Sequence, residues 1–234
     1  RMGKAIRFQA EPDTLRLFAG RDSDGVRGIR LAEGDTVIAL SVLRHFKATP
    51  AEREAYLKWS AAQRRTAEDE AEAGAAPVEE PDDAVEEVTL SPERIAQMAE
   101  AEEFIFAVTD GGFGKRSSAF AYRTSGRGGQ GIAAIGFDDR GRDGEEAKWR
   151  TGREVVASFP ARPGDHLMLV TDGGQLIRIE ADAVRITGRQ GMGVMLMRLA
   201  EGERVMSCFP VADDDAGEDA AQDETPEDTA GNND

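Results

Sequence analysis

Two different glycine motifs recur in this chain at one common spacing, and this duplication constrains the fold more than any other feature. The first motif, Asp-Gly-Gly, begins at Asp110 and again at Asp172. The second, a glycine-rich turn that contains an arginine, ends at Gly131 and again at Gly193. Both pairs are 62 residues apart. Because two unrelated motifs share one offset, the chain contains a duplicated unit, and a repeat of this length built from short strands is typical of propeller blades.

The duplicated unit is predicted to consist of strands. Each Asp-Gly-Gly follows a short apolar run, at 104–108 and at 167–170, which predicts a strand followed by a hairpin turn. The turn at 125–131 feeds a second apolar run at 132–135. Further strands are predicted at 154–160, 194–197 and 204–209, and the polar segment 138–153 is predicted to be a loop.

The N-terminal segment 1–48 carries a weaker copy of the same pattern. Residues 1–8 resemble the second half of a hairpin, and 25–29 resemble the glycine-rich turn. The runs 29–31 and 36–43 are predicted as strands, the second apolar enough to lie inside a blade. Because the chain starts with Arg in the middle of a motif, we expect it to be the C-terminal part of a longer protein.

An acidic segment, 49–103, interrupts the strand pattern. Thr49 followed by Pro50 predicts one helix start, and Ser91 followed by Pro92 predicts another. The intervening stretch 68–87 is rich in Ala, Glu, Asp and Pro, a composition typical of disorder. We therefore interpret 49–103 as a mostly helical and disordered insertion between the strand-forming segments 1–48 and 104–210.

The net charge of −16 is distributed very unevenly. The tail 211–234, predicted to be disordered, has ten acids and no bases, and the insertion 49–103 has sixteen acids and five bases. The remaining strand-forming part is basic at +5, with 24 bases and 19 acids. This asymmetry is compatible either with a polyanionic partner or with ordinary surface charge. The tail is either a solubilising extension or a competitor of the polyanionic partner for the basic surface.

Several classes of site lack support in the sequence. Residues 126–131 match G-x-G-x-x-G, but a strand-like run follows them where a dinucleotide site needs a helix. No Walker A motif occurs, and no His or Cys cluster has metal-ligand spacing, so we expect no catalytic residue, metal or cofactor in this chain. The single Cys208 and the lack of an apolar run near the roughly 20 residues that span a bilayer predict a cytoplasmic, non-membrane protein.

The motifs follow one order: a strand, an Asp-Gly-Gly hairpin, a strand that bears Lys or Arg, and a Gly-Arg turn. This order resembles the C-terminal domain of the DNA gyrase A subunit, a DNA-wrapping β-pinwheel. Residues 26–35 and 112–116 resemble late blades of that domain. The resemblance covers roughly 1–48 and 104–210. It implies an all-β fold of propeller-like, four-stranded antiparallel blades, about three of the usual six. Gyrase A proteins are defined by a glycine-rich sequence motif with basic residues. Gln130 stands where that motif has its second basic position, so residues 126–131 are interpreted as a degenerate copy.

The resemblance also implies a function and partners. Such a domain wraps double-stranded DNA around its rim, the N-terminal part of the gyrase A protein cleaves the strands, and the gyrase B protein hydrolyses ATP with Mg²⁺ in an A2B2 assembly. This chain would then supply DNA contacts to a type IIA topoisomerase but no bond chemistry. The paralogous A protein of topoisomerase IV is the alternative, although the acidic tail and the well-kept glycine turns favour gyrase. A propeller-like protein-interaction module, with the insertion as docking element, is the other alternative.

The predicted DNA contacts are the cations and glycines of the turns and hairpin strands. Glycines let the backbone approach a phosphate, and arginines in the turns pair with phosphate oxygens. The alternative is a tight turn with an incidental arginine, or a solvated strand face. The predicted DNA-binding residues are Lys4, Arg7, Arg27, Arg30, Lys115, Arg116, Arg123, Arg127, Gly128, Gly129, Arg178, Arg185 and Arg189.

Overall fold

A computed structural model describes residues 1–18, 20–69, 88–137 and 152–211. Strands dominate these ranges, and two α-helices fall within the insertion. The strands are β1 (Lys4–Ala5), β2 (Phe104–Thr109), β3 (Phe113–Ser118), β4 (Ile132–Ala133), β5 (Val155–Ala161), β6 (His166–Thr171), β7 (Leu176–Glu180), β8 (Val194–Met195) and β9 (Val205–Val211). The helices are α1 (Pro50–Asp69) and α2 (Pro92–Ala101), and two 3₁₀ turns lie at Ala119–Ala121 and Ala181–Ala183.

The 62-residue repeat is confirmed as a structural repeat. Hairpin β2–β3 and hairpin β6–β7 are antiparallel, and each is followed by a 3₁₀ turn. In each hairpin the first strand ends in a threonine, Thr109 or Thr171, and a β-bulge lies just before it. In both hairpins that threonine caps the turn: Thr109 Oγ1 accepts the Phe113 N–H at 3.3 Å, and Thr171 Oγ1 accepts the Gln175 N–H at 3.0 Å. The duplicated Asp-Gly-Gly motif therefore builds the same turn twice.

The sheets exchange strands between neighbouring units. One sheet has the order β5-β2-β3-β8, a second has β7-β6-β9, and the third is the pair β1-β4. Strand β8 follows β7 in the chain but pairs with β3, where Phe113 faces Met195 and Gly114 faces Val194. Strand β4 pairs with β1 in the corresponding way. This relation agrees with the interpretation of residues 1–8 as the second strand of a hairpin.

The main core lies between the two larger sheets. Phe106 and Val108 of β2 pack with Leu167 and Leu169 of β6, all four fully buried. Phe106 stacks on Phe159 with ring centroids 5.8 Å apart. Because each such buried side chain contributes roughly 1.5–3 kcal/mol, this core holds the two units together.

The two helices begin where the sequence predicts. Thr49 Oγ1 accepts the Glu52 N–H at 3.2 Å while the Glu52 carboxylate accepts the Thr49 N–H at 2.8 Å, a complete capping box. Ser91 Oγ accepts the Arg94 N–H at 3.2 Å. Tyr56 of α1 and Met98 of α2 form a second core that includes Phe120 of the first 3₁₀ turn. The helices therefore pack onto the strand-forming part of the chain.

The predicted strands at 29–31 and 36–43 are wrong. No strand ladder forms over 26–47 in the described part of the chain, and Leu40 and Val42 are more than 80% exposed. An apolar run becomes a strand only where a neighbour continues its backbone hydrogen bonds into a ladder, and the described residues give this stretch isolated bonds only, such as the Arg30 N–H to Gly129 O. The predictions made for 70–87, 138–151 and 212–234 concern residues outside the described ranges.

Candidate nucleic-acid interface

The three glycine turns lie next to one another in chain order. The first (25–32) contacts the second (125–131), since the Gly128 N–H donates to Gly28 O at 2.6 Å and the Arg30 N–H donates to Gly129 O at 2.8 Å. The strand after the second turn reaches the third turn (188–193), since the Gly136 N–H donates to Gly191 O at 3.3 Å. Hydrogen bonds thus connect the turns in series.

Close backbone approach requires glycine in the second turn. Gly131 has φ +71°, and a Cβ at this position would lie 2.6 Å from Ala5 O. A side chain here would collide with β1 as well as strain the backbone. Gly131 therefore lets the second turn lie directly against β1.

The first and second turns present exposed cations. Arg127 donates from Nε to Thr14 O at 2.7 Å and from Nη1 to Arg27 O at 3.3 Å, but its side chain stays exposed. A guanidinium has five N–H donors, so these contacts hold the side chain in place and leave capacity for a further acceptor. A shallow cavity of about 260 Å³ lies in the same region. Its lining includes Lys4, Arg30 and Gln130, and Gln130 is a polar residue that the sequence had indicated only as a departure from the family box.

Lys115 and Arg189, both predicted to contact DNA, do not face outward. Lys115 is completely buried, and its Nζ donates to Gly188 O at 2.9 Å and also to Arg189 O. The Arg189 side chain is buried and donates to Ala133 O at 2.7 Å. Both charges are used inside the protein, where they hold the third turn against its neighbours, because carbonyl oxygens are the acceptors that the fold offers them.

Arg7 and Arg116 are half-buried and form contacts between neighbouring units. Arg7 Nη1 donates to Ala119 O in the first 3₁₀ turn at 2.7 Å. Arg116 donates to Val184 O at 2.7 Å and forms an ion pair with Asp182 at 2.5 Å, in and after the second 3₁₀ turn. These side chains join their strands to the 3₁₀ turn of the following unit, and the donors used in these contacts are already engaged within the protein.

The remaining predicted residues stay near the surface. Arg27, Arg30, Arg123 and Arg178 are exposed, as are Lys4 and Gly129, and Gly128 and Arg185 are partly buried. The structure therefore brings Lys4, Arg27, Arg30 and Arg127 to the first two turns. DNA contact by these residues stays a prediction.

Comparison with known protein families shows which family this chain belongs to. A family described as "DNA gyrase C-terminal domain, beta-propeller" matches residues 3–44, 103–142 and 165–212, more than half of the chain. The chain belongs to this family. The match omits the segment that contains both helices, and the interpretation of that segment as an insertion stays a prediction.

Relatives of this gyrase-family chain are DNA gyrase A proteins. The DNA gyrase A protein of Granulibacter bethesdensis is 57% identical over 94% of this chain and 23% of its own length. That of Rickettsia bellii is 45% identical over 93% of this chain and 22% of its own length. This chain thus spans less than a quarter of these two curated relatives. A solved DNA gyrase A C-terminal domain is 19% identical, with a TM-score of 0.40 over 47% of this chain and 34% of its own.

No metal-binding cluster occurs in the part of this gyrase-family chain that the structure describes. Groups of three or more His, Cys, Asp or Glu residues that could hold a metal ion are absent from the described residues. Tyr56 is buried with its hydroxyl donated to Glu102 at 2.8 Å, and Tyr122 is also buried. The described helices include none that is long and apolar enough to cross a bilayer.

Proposed function

We propose that this chain forms part of the DNA-wrapping surface of a gyrase A protein. The observation that carries the proposal is the series of glycine turns, joined by backbone hydrogen bonds, with exposed cations on the first two. Membership of the gyrase C-terminal family supports it. Phosphates recur along a duplex at regular intervals, so a row of similar turns suits a ligand with a repeating negative charge.

The electrostatics of the exposed residues favours duplex DNA. Lys4, Arg27, Arg30 and Arg127 are exposed side chains of one sign around the first two turns. Cations of this kind contact phosphates without reading bases, and such binding weakens steeply as salt rises. Bending DNA through a large angle costs several kcal/mol, which many phosphate contacts together can offset.

The proposed role is confined to binding and bending. In the complete enzyme, the N-terminal part of the gyrase A protein would cleave DNA, and the gyrase B protein would hydrolyse ATP with Mg²⁺ in a cytoplasmic A2B2 assembly. The wrapped duplex would present a second segment to the cleavage site, which leads to negative supercoiling. This chain would need no cofactor of its own.

The proposal is tested by DNA topology. A full-length gyrase A protein that carries this chain is bound to relaxed circular DNA, topoisomerase I relaxes the complex, and the linking number is measured after the protein is removed. We expect a retained positive change. Replacing Arg27, Arg30 and Arg127 by Gln should reduce it strongly, whereas the control Lys58→Gln, an exposed cation of α1 paired with Glu54, should not.

Two results would contradict the proposal in different ways. Binding without any linking-number change would indicate simple DNA contact of the topoisomerase IV kind. No binding at low salt would favour the protein-interaction module, in which the helical insertion is the docking element.

A further inference from the structure

Two joints between neighbouring units carry different side chains at equivalent positions. We call a joint the contact between the arginine of one unit and the 3₁₀ turn of the next. At the second joint, Arg116 forms an ion pair with Asp182 at 2.5 Å and donates to Asp182 O at 2.9 Å. At the first joint, Arg7 donates to Ala119 O at 2.7 Å. The residue 62 positions before Asp182 is Phe120, so the first 3₁₀ turn has a phenyl ring where the second has a carboxylate.

The backbones of the two 3₁₀ turns are otherwise alike. The Ala119 N–H donates to Glu103 O, and 62 residues later the Ala181 N–H donates to Asp165 O, both at 2.8 Å. The exchange of Asp for Phe at this position therefore changes the chemistry of the joint on a common backbone.

The two helices cover the phenyl ring at the first joint. Phe120 is buried, and the ring of Tyr56 in α1 meets it edge-on with centroids 5.6 Å apart. The ring of Phe46 meets it from another direction at 5.9 Å. Met98 of α2 is completely buried in the same cluster. Apolar packing thus occurs at the first joint where the second joint has an ion pair.

Arg94 of α2 fastens this packing together. Its Nε forms an ion pair with Glu52 of α1 at 2.8 Å, and its Nη2 donates to Lys47 O at 2.7 Å. Its guanidinium also lies over the ring of Phe46, 4.9 Å from the centroid. Both helices and the segment 46–47 are therefore held as one body against the turn.

We propose that α1, α2 and Phe120 form a brace that positions the second glycine turn for DNA wrapping. This inference rests on the proposed DNA-wrapping function and gives the helices a part in it. The first 3₁₀ turn leads directly into the glycine turn 125–131, which carries the exposed Arg127. The brace fixes the angle at the first joint, as the ion pair between Arg116 and Asp182 does at the second. Its residues are positioning residues that need no contact with DNA.

The test removes residues 45–102 from a full-length gyrase A protein that carries this chain. The Arg44 N–H donates to the Glu103 carboxylate at 2.9 Å, so the two ends lie close together and a short glycine linker can join them. We expect the shortened protein to lose part of the retained linking-number change. The salt slope of DNA binding should not fall, because no phosphate contact is removed. An unchanged linking number, or a smaller salt slope that reveals direct DNA contact by the helices, would overturn the inference.

A second substitution tests the equivalence of the two joints. In the shortened protein, Phe120→Asp gives Arg7 a carboxylate at the position of Asp182 and should restore the linking-number change. The matched control Phe120→Asn has the same size without the charge and should restore it less. In the full chain, Phe120→Asp places a charge against Tyr56 and Met98 and should reduce the linking-number change. Equal recovery by both substitutions, or recovery by neither, would contradict the brace.

Amide hydrogen exchange without DNA separates the brace from the proposed function. If the wild-type protein shows no linking-number change, the DNA-wrapping function fails, and exchange over residues 116–125 still measures the joint. Loss of the packing around Phe120 should make this exchange about 10- to 100-fold faster in the shortened protein, and Phe120→Asp should slow it again. Unchanged exchange in the shortened protein would overturn the brace even where DNA is wrapped.

Discussion

Replacement of Lys115 by Met tests the structural role that the fold assigns to a cation predicted to bind DNA. The side chain of Lys115 is completely buried on β3. Its ammonium donates to the carbonyl oxygens of Gly188 and Arg189, in the third glycine turn. Methionine preserves the length and most of the volume, so the change removes the donors and the charge without opening a large cavity.

The expected loss of stability follows from these two hydrogen bonds. A hydrogen bond to a charged group contributes about 1.5–3 kcal/mol, and each buried carbonyl left without a partner costs about 1–3 kcal/mol. Relief from burying an ammonium ion offsets part of this loss. We expect the free energy of unfolding to fall by about 3 kcal/mol, which lowers the Tm by roughly 6–12 °C in a protein of this size.

The measurement is equilibrium unfolding by denaturant, together with DNA titration. Lys4→Met is the matched control, since the same substitution is made at an exposed lysine on β1. Lys4→Met should change stability by less than about 0.5 kcal/mol. It should reduce the salt slope of DNA binding, whereas folded Lys115→Met should keep that slope because it loses no direct phosphate contact.

Two results would refute this reasoning. A loss below about 1 kcal/mol for Lys115→Met would mean that its hydrogen bonds contribute little. A reduced salt slope in the folded Lys115→Met protein would mean that the lysine contacts DNA directly.

Three further predictions concern stability and reactivity. Gly193→Ala should destabilise the protein at least twice as much as Gly164→Ala in thermal unfolding. Both glycines have positive φ, but only at Gly193 would a Cβ lie 2.4 Å from a backbone oxygen, that of Gly114. The hydrogen bond from the Gly164 N–H lowers the pKa of Asp182. The ionised Asp182 carboxylate therefore stabilises the fold at neutral pH, and this stabilisation is lost as pH falls through the folded-state pKa. Asp182→Asn should make the free energy of unfolding depend less on pH in the acid range. Burial raises the pKa of Cys208 to about 12, so a thiol reagent at pH 8 should label it only on unfolding, and rapid labelling of the native protein would contradict this.

The repeat could be read from the sequence because its motifs have strict backbone requirements. Asp-Gly-Gly specifies a hairpin turn with a glycine at positive φ, observed at Gly112 and Gly174. The two helix starts were equally predictable, since Thr49 and Ser91 use local capping hydrogen bonds. Features that depend on a few adjacent residues could therefore be predicted from the sequence, and the structure confirms them.

Whether an individual Lys or Arg side chain faces solvent or the protein interior could not be predicted from residue type alone. Lys115 was predicted on the rim because charged residues usually face solvent. The repeat contained a contrary signal: 62 residues later the same position is Ile177, a partly buried residue packed against the core. An apolar residue at the equivalent site marks an inward-facing position, and this comparison would have identified Lys115 as buried. Arg116, by contrast, corresponds to Arg178, a cation like itself.

The run 36–43 shows a different limit of the sequence. Its apolar composition is typical of a buried strand, yet Val37 is 61% exposed and Leu40 is 85% exposed. Strand formation depends on a partner that is remote in sequence, and hydrophobicity alone does not supply one. The apolar pattern therefore predicted a strand for which the described residues provide no neighbour.

Arg7 and Arg116 connect the fold to the proposed function most directly. They occupy corresponding positions, since Arg7 forms a parallel bridge with Thr124 and Arg116 forms one with Ile186. The two partners, Thr124 and Ile186, are 62 residues apart. Each side chain reaches into the 3₁₀ turn of the following unit. Under the proposed function, we expect these contacts to influence the angle between successive units and with it the curvature of the surface that DNA follows. Hydrogen bonds between units can in this way affect how strongly bound DNA bends without contacting it.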